Sequence, residues 1–261
     1  MVRLSPAQYA SSDLNYHNHS GYFPLIAAVL SDLQNGVIYA DSEENPTQIY
    51  VEHAFGFAQI FGDSVPKFEL ALQRYLLVDK AFLATKVRLY ANSCPSFLQG
   101  SEFNVLRSWR QRFKLDNALF EGIGKETELP LEGLTLVFVD ANHLDQIENN
   151  FGVAARFWRT RDDFAGRSKA VMALVGGQAV ALCYAAAMVN GNAEIDVLTL
   201  PTFRNLGLAK QVVRIFSQRC IEENVCPLWD CFTNNTASMA LCRSIGFVPL
   251  DEPYPFFTIN R

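Results

Sequence analysis

Residues 203–210, FRNLGLAK, combine the residue types that bind phosphate at the start of a helix. They follow an apolar run, AEIDVLTLP, and lead into an amphipathic one, AKQVVRIFSQRC. The first turn of a helix offers free backbone N–H groups and a partial positive charge, and Gly207 lets the backbone approach an anion closely. Arg204 and Lys210 add positive charge. Because G-x-G-x-x-G and G-x-x-x-x-G-K-S/T are both absent, an ordinary strand-to-helix turn remains an alternative.

A second segment, NTASMALCRSIGF at residues 235–247, strengthens the phosphate interpretation. The two segments together resemble the signatures of the GNAT acyltransferase superfamily, whose members bind acyl-CoA. The first signature is a strand, then R/Q-x-x-G-x-G/A, then a helix, and Arg204, Gly207 and Ala209 match it. The second is N-x-x-A/S-x-x-L-Y/A-x-x-x-G-F. The residues that match it are Asn235, Ser238, Leu241, Gly246 and Phe247.

The resemblance is most specific to one branch, the GNAT acetyltransferase family that includes zwittermicin A resistance proteins. The residues that match this branch are Thr199, Arg204, Gly207, Leu208, Ala209, Pro227, Trp229, Asp230, Asn235 and Ser238. The match is specific over residues 130–256. It extends loosely to residues 20–65 through GVIYADSEENP and FGFAQIFGD.

The resemblance implies a binding site for acetyl-CoA or another short acyl-CoA, used as a cosubstrate. Backbone N–H groups of residues 205–209 would bind the pyrophosphate, and the strand edge at 197–199 would pair with the pantetheine amides. Asn235 would contact the pantetheine or phosphate end, although a helix cap explains this residue equally well. The implied CoA-binding residues are Val197, Leu198, Thr199, Arg204, Asn205, Leu206, Gly207, Leu208, Ala209, Lys210, Asn235 and Ser238.

Two carboxylates precede the loop and are candidates for the general base. Glu194 and Asp196 lie two residues apart on a predicted strand, so strand alternation places them on one face. EIDVLTL resembles the strand on which a glutamate acts as base in protein-lysine acetyltransferases. Glu194 is therefore the first candidate and Asp196 the second. The alternatives to a base are that the two carboxylates bind the acceptor, or that they simply lie on an exposed strand face.

The general acid is the weak point of the resemblance. Many superfamily members have a tyrosine one residue after the leucine of the second signature, and this chain has Cys242 there. A thiol with a pKa near ~8.5 could donate a proton, but it is a poor substitute for a phenol. We favour a packing role for Cys242, with its acid role as the alternative.

The acceptor pocket is predicted from aromatic and histidine residues. YHNH near the N-terminus has a loop-type spacing rather than a helical metal pair, so we predict no metal site. Solvated loop residues and core packing are the alternatives to an acceptor-binding role. The candidate acceptor-binding residues are Tyr16, His17, His19, Tyr184 and Trp229.

The elements that must position these residues form an α/β fold. An antiparallel meander that ends in strand–helix–strand–helix–strand predicts a mixed, mostly antiparallel sheet flanked by helices, as in GNAT proteins. The uncharged run at 170–189 is split by Gly176-Gly177, so we predict a hairpin rather than a membrane span. An N-terminal α/β extension, residues 1–129, is the predicted acceptor-specificity element, and residues 130–261 are the predicted acyl-CoA-binding domain.

Composition narrows the class of protein. The 261 residues are 49% apolar and carry a formal charge of −5, which argues against a nucleic-acid partner. The N-terminus has no apolar signal-like region, and the six cysteines form no C-x-x-C pair, so we predict a cytoplasmic protein with no membrane partner. The sequence leaves open whether the protein forms a homodimer.

The function predicted from the sequence is transfer of a short acyl group to the primary amine of a small molecule. Candidate acceptors are an amino sugar, including a nucleotide-linked one, and an amine-bearing antibiotic; the acidic balance favours a cationic acceptor. The alternatives are an inactive CoA-binding regulatory module, suggested by Cys242, and a protein N-acetyltransferase.

Overall fold

A computed structural model describes residues 1–9, 16, 21–91, 94–99, 104–123 and 131–261. The chain divides into two compact units. The first unit comprises residues 1–110 and 253–261, and the second comprises residues 111–252. The functional division at residue 130 stays a prediction, since compactness does not test which part of the chain selects an acceptor.

The first unit is a mostly antiparallel sheet with short helices. Its strands follow the order β1-β2-β3-β4-β5-β13-β6, in which only the β4–β5 pair is parallel. The strands are β1 Val2–Arg3, β2 Gly36–Ala40, β3 Gln48–His53, β4 Phe57–Gly62, β5 Lys86–Tyr90, residues 105–110 of β6 Val105–Leu115, and β13 Tyr254–Asn260. The helices are α1 Pro24–Leu30 and α2 Pro66–Gln73, which continues as a π-helical turn at Arg74–Val78; 3-10 turns lie at Pro6–Gln8 and Ser96–Leu98.

A buried carboxylate organises the centre of the first unit. Glu52 on β3 is fully buried, and it accepts hydrogen bonds from the hydroxyls of Tyr50 (3.0 Å) and Tyr75 (2.9 Å). The backbone N–H of Leu83 donates a third, at 2.9 Å. Burial raises the pKa of this carboxyl above its ordinary value, while the three donors oppose the rise. The donors therefore offset part of the cost of burying the group.

The second unit carries the segments predicted to bind CoA. Its strands follow the order β11-β10-β9-β8-β7, and β12 pairs with residues 113–115 of β6. The strands are β7 Leu134–Phe138, β8 Val171–Val175, β9 Gln178–Val189, β10 Asn192–Thr199, β11 Cys226–Phe232 and β12 Phe247–Pro249. The helices are α3 Asn117–Gly122, α4 Leu144–Phe151, α5 Arg161–Arg167, α6 Leu208–Glu222 and α7 Thr236–Ile245; 3-10 turns lie at Ala141–His143 and Pro201–Phe203.

The uncharged run at 170–189 forms the predicted hairpin. Strands β8 and β9 pair antiparallel, and the glycines between them, Gly176 and Gly177, have φ of 57° and 83°. The next turn, Asn190-Gly191, leads into β10, which completes the meander. Among the helices of the described residues, none is long and apolar enough to cross a membrane.

Helix α6 is held in place by its apolar stripe. Val212, Val213 and Phe216 are fully buried, and they belong to a core cluster with Ala181 and Cys183 of β9. This packing fixes the start of α6 against the sheet, where the predicted phosphate loop lies. The mixed, mostly antiparallel sheet flanked by helices confirms the fold class predicted from the sequence.

Gly246 is expected to be essential for stability of the second unit. It ends α7 with a φ of 106°, and a Cβ there would lie 2.9 Å from the backbone nitrogen of Phe120. We expect Gly246→Ala to lower the free energy of unfolding by about 2–4 kcal/mol, because it combines left-handed strain with overpacking. Urea unfolding measures this change.

Gly152→Ala is the matched control for Gly246→Ala. Gly152 also ends a helix with positive φ, 62°, but nothing lies within 4 Å of its added Cβ. We expect Gly152→Ala to lower the free energy of unfolding by about 1 kcal/mol, from backbone strain alone. Equal losses in the two variants would show that the contact with Phe120 contributes nothing.

Candidate active site

Strands β10 and β11 separate partway along their length. They pair in parallel from Asn192↔Cys226 to Glu194↔Leu228, where their ladder ends. Both strands continue, and β10 remains paired on its other side with β9 as far as Thr199↔Ala181. Beyond Glu194, one edge of β10 is therefore outside the β10–β11 ladder. This edge contains residues 197–199, which the sequence predicts to pair with pantetheine amides.

The loop that follows β10 has the backbone geometry of an anion-binding turn. Asn205 has φ of 63°, and Gly207, the N-cap of α6, has φ of 74°. Gly207 has no side chain, so the N-cap residue cannot accept a hydrogen bond from the first backbone N–H groups of α6 through a side chain. Positive-φ residues next to a helix start turn successive N–H groups toward one point, which suits a phosphate.

Side chains of the loop hold it in place against the rest of the second unit. Leu208 is 1% exposed and anchors the helix start in the core, whereas Leu206 is 39% exposed. The Arg204 guanidinium donates from Nε to the carbonyl oxygen of Thr199, 3.4 Å away. Arg204 thus ties the loop to the end of β10, and its contact with a phosphate stays a prediction, as does that of Lys210.

Asn235 and Ser238 form the cap of α7. The Asn235 side chain accepts a hydrogen bond from the backbone N–H of Ser238 at 3.1 Å, as expected for a helix cap. The Ser238 hydroxyl accepts a hydrogen bond from Nε1 of Trp229, also at 3.1 Å. Trp229 is only 4% exposed and packs against Phe247, so its main contacts are in the core. A CoA contact of Asn235 and Ser238 remains a prediction.

The two candidate bases share one face of β10. Ala193, Ile195 and Val197 pack into the core cluster that contains α6. Side chains alternate along a strand, so Glu194 and Asp196 project to the opposite face. The register with β9 shifts between residues 194 and 195, but the extra residue is on β9 and leaves this alternation intact.

The two carboxylates differ in their surroundings. Asp196 accepts a hydrogen bond from the Tyr184 hydroxyl at 2.6 Å, and Nη1 of Arg156 lies 3.7 Å from the same oxygen, Oδ2. Burial, reinforced by the charge of Asp196, holds the pKa of Tyr184 well above its usual value. Tyr184 is therefore a donor that holds Asp196. Glu194 is 8% exposed and lies where the β10–β11 ladder ends.

Cys242 lies in the apolar core. Its side chain is fully buried, its Sγ donates to the carbonyl oxygen of Met239 at 3.3 Å, and burial raises the pKa of the thiol to about 12. A thiol in these surroundings is a poor proton donor at neutral pH. These observations favour the packing role over the acid role.

We expect Cys242→Ser to retain kcat within about twofold, because the core thiol is far less acidic than a catalytic donor needs to be. The same variant should unfold at lower temperature, since a hydroxyl replaces a thiol in the core. Thiol release from acetyl-CoA measures the first effect and thermal unfolding the second. A fall in kcat of tenfold or more with unchanged CoA affinity would restore the acid role.

The predicted acceptor residues fall in different places. Tyr16 is fully buried in the first unit, where its hydroxyl accepts from the backbone N–H of Phe23 at 3.0 Å and donates to the Gln59 side chain. Tyr184 lies beside Asp196 in the second unit. His17 and His19 lie outside the described residues. Among the described residues, no group of three or more His, Cys, Asp and Glu side chains could hold a metal ion.

Arg156 is the residue of this site that the sequence did not reveal. It lies between α4 and α5, in the segment RFWRTR, and nothing in its local spacing distinguishes it from Arg159 or Arg161. Its proximity to Asp196 comes from packing of this segment against β9. No local pattern could have predicted that contact.

Strand β10, the loop that follows it and helix α6 all lie within the part of the chain that matches a known family. A family model described as GNAT acetyltransferase matches residues 21–257. The chain therefore belongs to the GNAT acetyltransferase family and is an acyltransferase. This match covers both compact units, including residues that the sequence resemblance left unmatched.

Similar proteins agree with this assignment. The chain is 26% identical over 260 residues to the uncharacterized N-acetyltransferase YdfB of Bacillus subtilis (strain 168), covering 97% of this chain and 96% of that protein. A GCN5-related N-acetyltransferase-like protein from Streptococcus suis 89/1591 has a similar fold, with a TM-score of 0.74 at 18% identity, covering 98% of this chain and all of that one. A GNAT-family acetyltransferase from Colwellia psychrerythraea gives 0.60 at 11% identity, covering both chains completely.

Proposed function

We propose that this protein transfers an acetyl or other short acyl group from acyl-CoA to the primary amine of a small molecule, by direct attack within a ternary complex. The observation that carries the proposal is the edge of β10 that lies outside the β10–β11 ladder and leads directly into a loop with two positive-φ residues at a helix start. The edge can pair with the pantetheine amides while the loop binds the pyrophosphate. Acyl-CoA supplies an activated thioester.

Glu194 is the proposed general base. An amine must lose a proton to attack, and a carboxylate positioned at the end of the β10–β11 ladder can accept it. Asp196 is less suited to this role, because Tyr184 and Arg156 both approach its Oδ2. The amine nitrogen bonds to the acyl carbon as the carbon–sulfur bond breaks. The proton passes to Glu194, and the sulfur leaves as the thiolate of CoA.

Protonation of the leaving thiolate requires no dedicated side chain in this proposal. Cys242 is buried with a pKa of about 12, and the Tyr184 hydroxyl donates to Asp196. A thiol has an ordinary pKa of ~8.5, so its thiolate is a stable leaving group at neutral pH.

The acceptors that we propose are amino sugars, including nucleotide-linked ones, and amine-bearing antibiotics. A net charge of −5 is compatible with a cationic amine. We also propose a cytoplasmic location, which is consistent with six cysteines that are all free thiols.

Release of free CoA thiol from acetyl-CoA, measured across a panel of amines, tests this function. Turnover of a small amine, with the acetylated product identified by mass, would support it. Tight CoA binding without thiol release on any amine would instead identify a regulatory module. Acetylation confined to peptide or protein amines would identify a protein N-acetyltransferase.

A further inference from the structure

We propose that the acceptor carries an anionic group, a carboxylate or a phosphate, close to its reacting amine, and that Arg156 binds this anion. The inference rests on the proposed function and adds the chemical class of the acceptor. The observation behind it is a guanidinium beside the candidate catalytic carboxylates, on the same face of β10.

Arg156 is held in position by its neighbours in the chain. Trp158 is 3% exposed, and its Nε1 donates to the carbonyl oxygen of Ala185 at 3.0 Å, at the register shift of β9. Phe157 is also buried, and its ring lies 6.5 Å from that of Tyr184. These two anchors fix the backbone next to Arg156, so the guanidinium is directed toward Asp196 by packing.

The Arg156 side chain lies beside Asp196 and is partly exposed to solvent. The closest approach is 3.7 Å from Nη1 to Oδ2, which is longer than a hydrogen bond, and Oδ2 already accepts from Tyr184 at 2.6 Å. About a quarter of the Arg156 side chain (26%) and about a third of Asp196 (31%) remain exposed. A guanidinium has five N–H donors in a planar fork that suits carboxylate and phosphate oxygens.

The charges on this face match a molecule with both signs. Glu194 and Asp196 attract a cationic amine, and Arg156 attracts an anion. The two carboxylate residues are about 7 Å apart along the strand, and the guanidinium lies within 4 Å of the second. A small molecule can therefore place its amine at Glu194 and its anion at Arg156. Amino acids and phosphorylated or nucleotide-linked amino sugars have this arrangement.

Matched pairs of amines test the inference in the thiol-release assay with acetyl-CoA. The carboxylate arm compares amino acids with their carboxamides, and the phosphate arm compares amino sugars with their phosphate esters. We expect kcat/KM to be about 10- to 100-fold higher for the anionic member in one arm, as for a hydrogen bond to a charged group. The arm that shows this difference identifies the anion as a carboxylate or as a phosphate.

Substitution of Arg156 tests which residue produces the preference. Arg156→Gln should raise the KM for the anionic member of each pair, so that the ratio of the two kcat/KM values falls to about one. Arg156→Lys should restore part of the preference for the anionic member. Arg161→Gln is the matched control, because Arg161 lies in the same segment, is 42% exposed and pairs with Asp145 at 2.6 Å. It should leave the ratio unchanged.

The possible failures are distinguishable. If no amine, in these two arms or in the panel that tests the proposed function, releases thiol although CoA binds, the proposed function fails. If neutral amines are turned over as well as their anionic partners, the function stands and the anion inference is wrong. An Arg156→Gln variant that lowers both members of a pair equally would also overturn it, because the residue would then act only through Asp196.

Discussion

Glu194→Gln is expected to lower kcat by about 10²- to 10⁴-fold, the range typical for loss of a general base. Glutamine has nearly the same shape as glutamate and retains hydrogen-bonding ability, but it cannot accept the proton of the amine. Glu194 lies at the last pair of the β10–β11 ladder and is nearly buried, so few solvent molecules can replace it. Thiol release with the best amine acceptor measures the effect.

The separate effects on kcat and KM distinguish a base from a residue that only binds the acceptor. Loss of a base should lower kcat while the KM for the amine changes little. CoA affinity, measured by calorimetry, should change by no more than about twofold. Glu222→Gln, on the exposed surface of α6, is a control that should behave as wild type. A raised KM with unchanged kcat would show that Glu194 binds the acceptor instead.

Gly207→Val is expected to weaken CoA binding by about 10²-fold. Gly207 has φ of 74°, a conformation that costs an ordinary L-residue about 1–2 kcal/mol and a β-branched one more. The added side chain would also occupy the space through which a phosphate approaches the N–H groups of α6. Together these effects correspond to loss of one or two hydrogen bonds to a charged group. Calorimetric titration with CoA measures the affinity.

Gly191→Val controls for backbone strain alone. Gly191 has φ of 71° in the turn between β9 and β10, and nothing lies within 4 Å of its added Cβ. This turn is at the opposite end of β10 from the loop. Both variants should lose stability, but only Gly207→Val should lose CoA affinity. If both lose affinity equally, or if Gly207→Val binds CoA normally, the loop does not hold the pyrophosphate.

Much of the fold could be predicted from local patterns. The paired glycines at 176–177 interrupt an uncharged run and predict a hairpin, because both positions need positive φ. The stripe of Val212, Val213 and Phe216 predicts a helix packed on the sheet. Each of these features depends on residues within a few positions of one another, so the sequence contains all the information required.

The predicted site was less complete than the predicted fold. For Trp229 the sequence offers both an acceptor pocket and core packing, and in the structure the side chain is 4% exposed and donates to Ser238. A tryptophan in an apolar strand can face either the core or a pocket, and local sequence does not distinguish the two. Arg156 was missed because its partner, Asp196, is 40 residues away in the chain.

The family signatures, a glycine at the start of α6 and the shared face of Glu194 and Asp196 can all be predicted from the sequence. These follow from glycine conformation, helix starts and the two-residue period of a strand. The neighbours of the two carboxylates, by contrast, depend on tertiary contacts. The register of β9 against β10 brings Tyr184 to Asp196, and packing of the segment after α4 adds Arg156. Register and packing depend on contacts between distant parts of the chain, so no local pattern could predict that the two carboxylates have different neighbours.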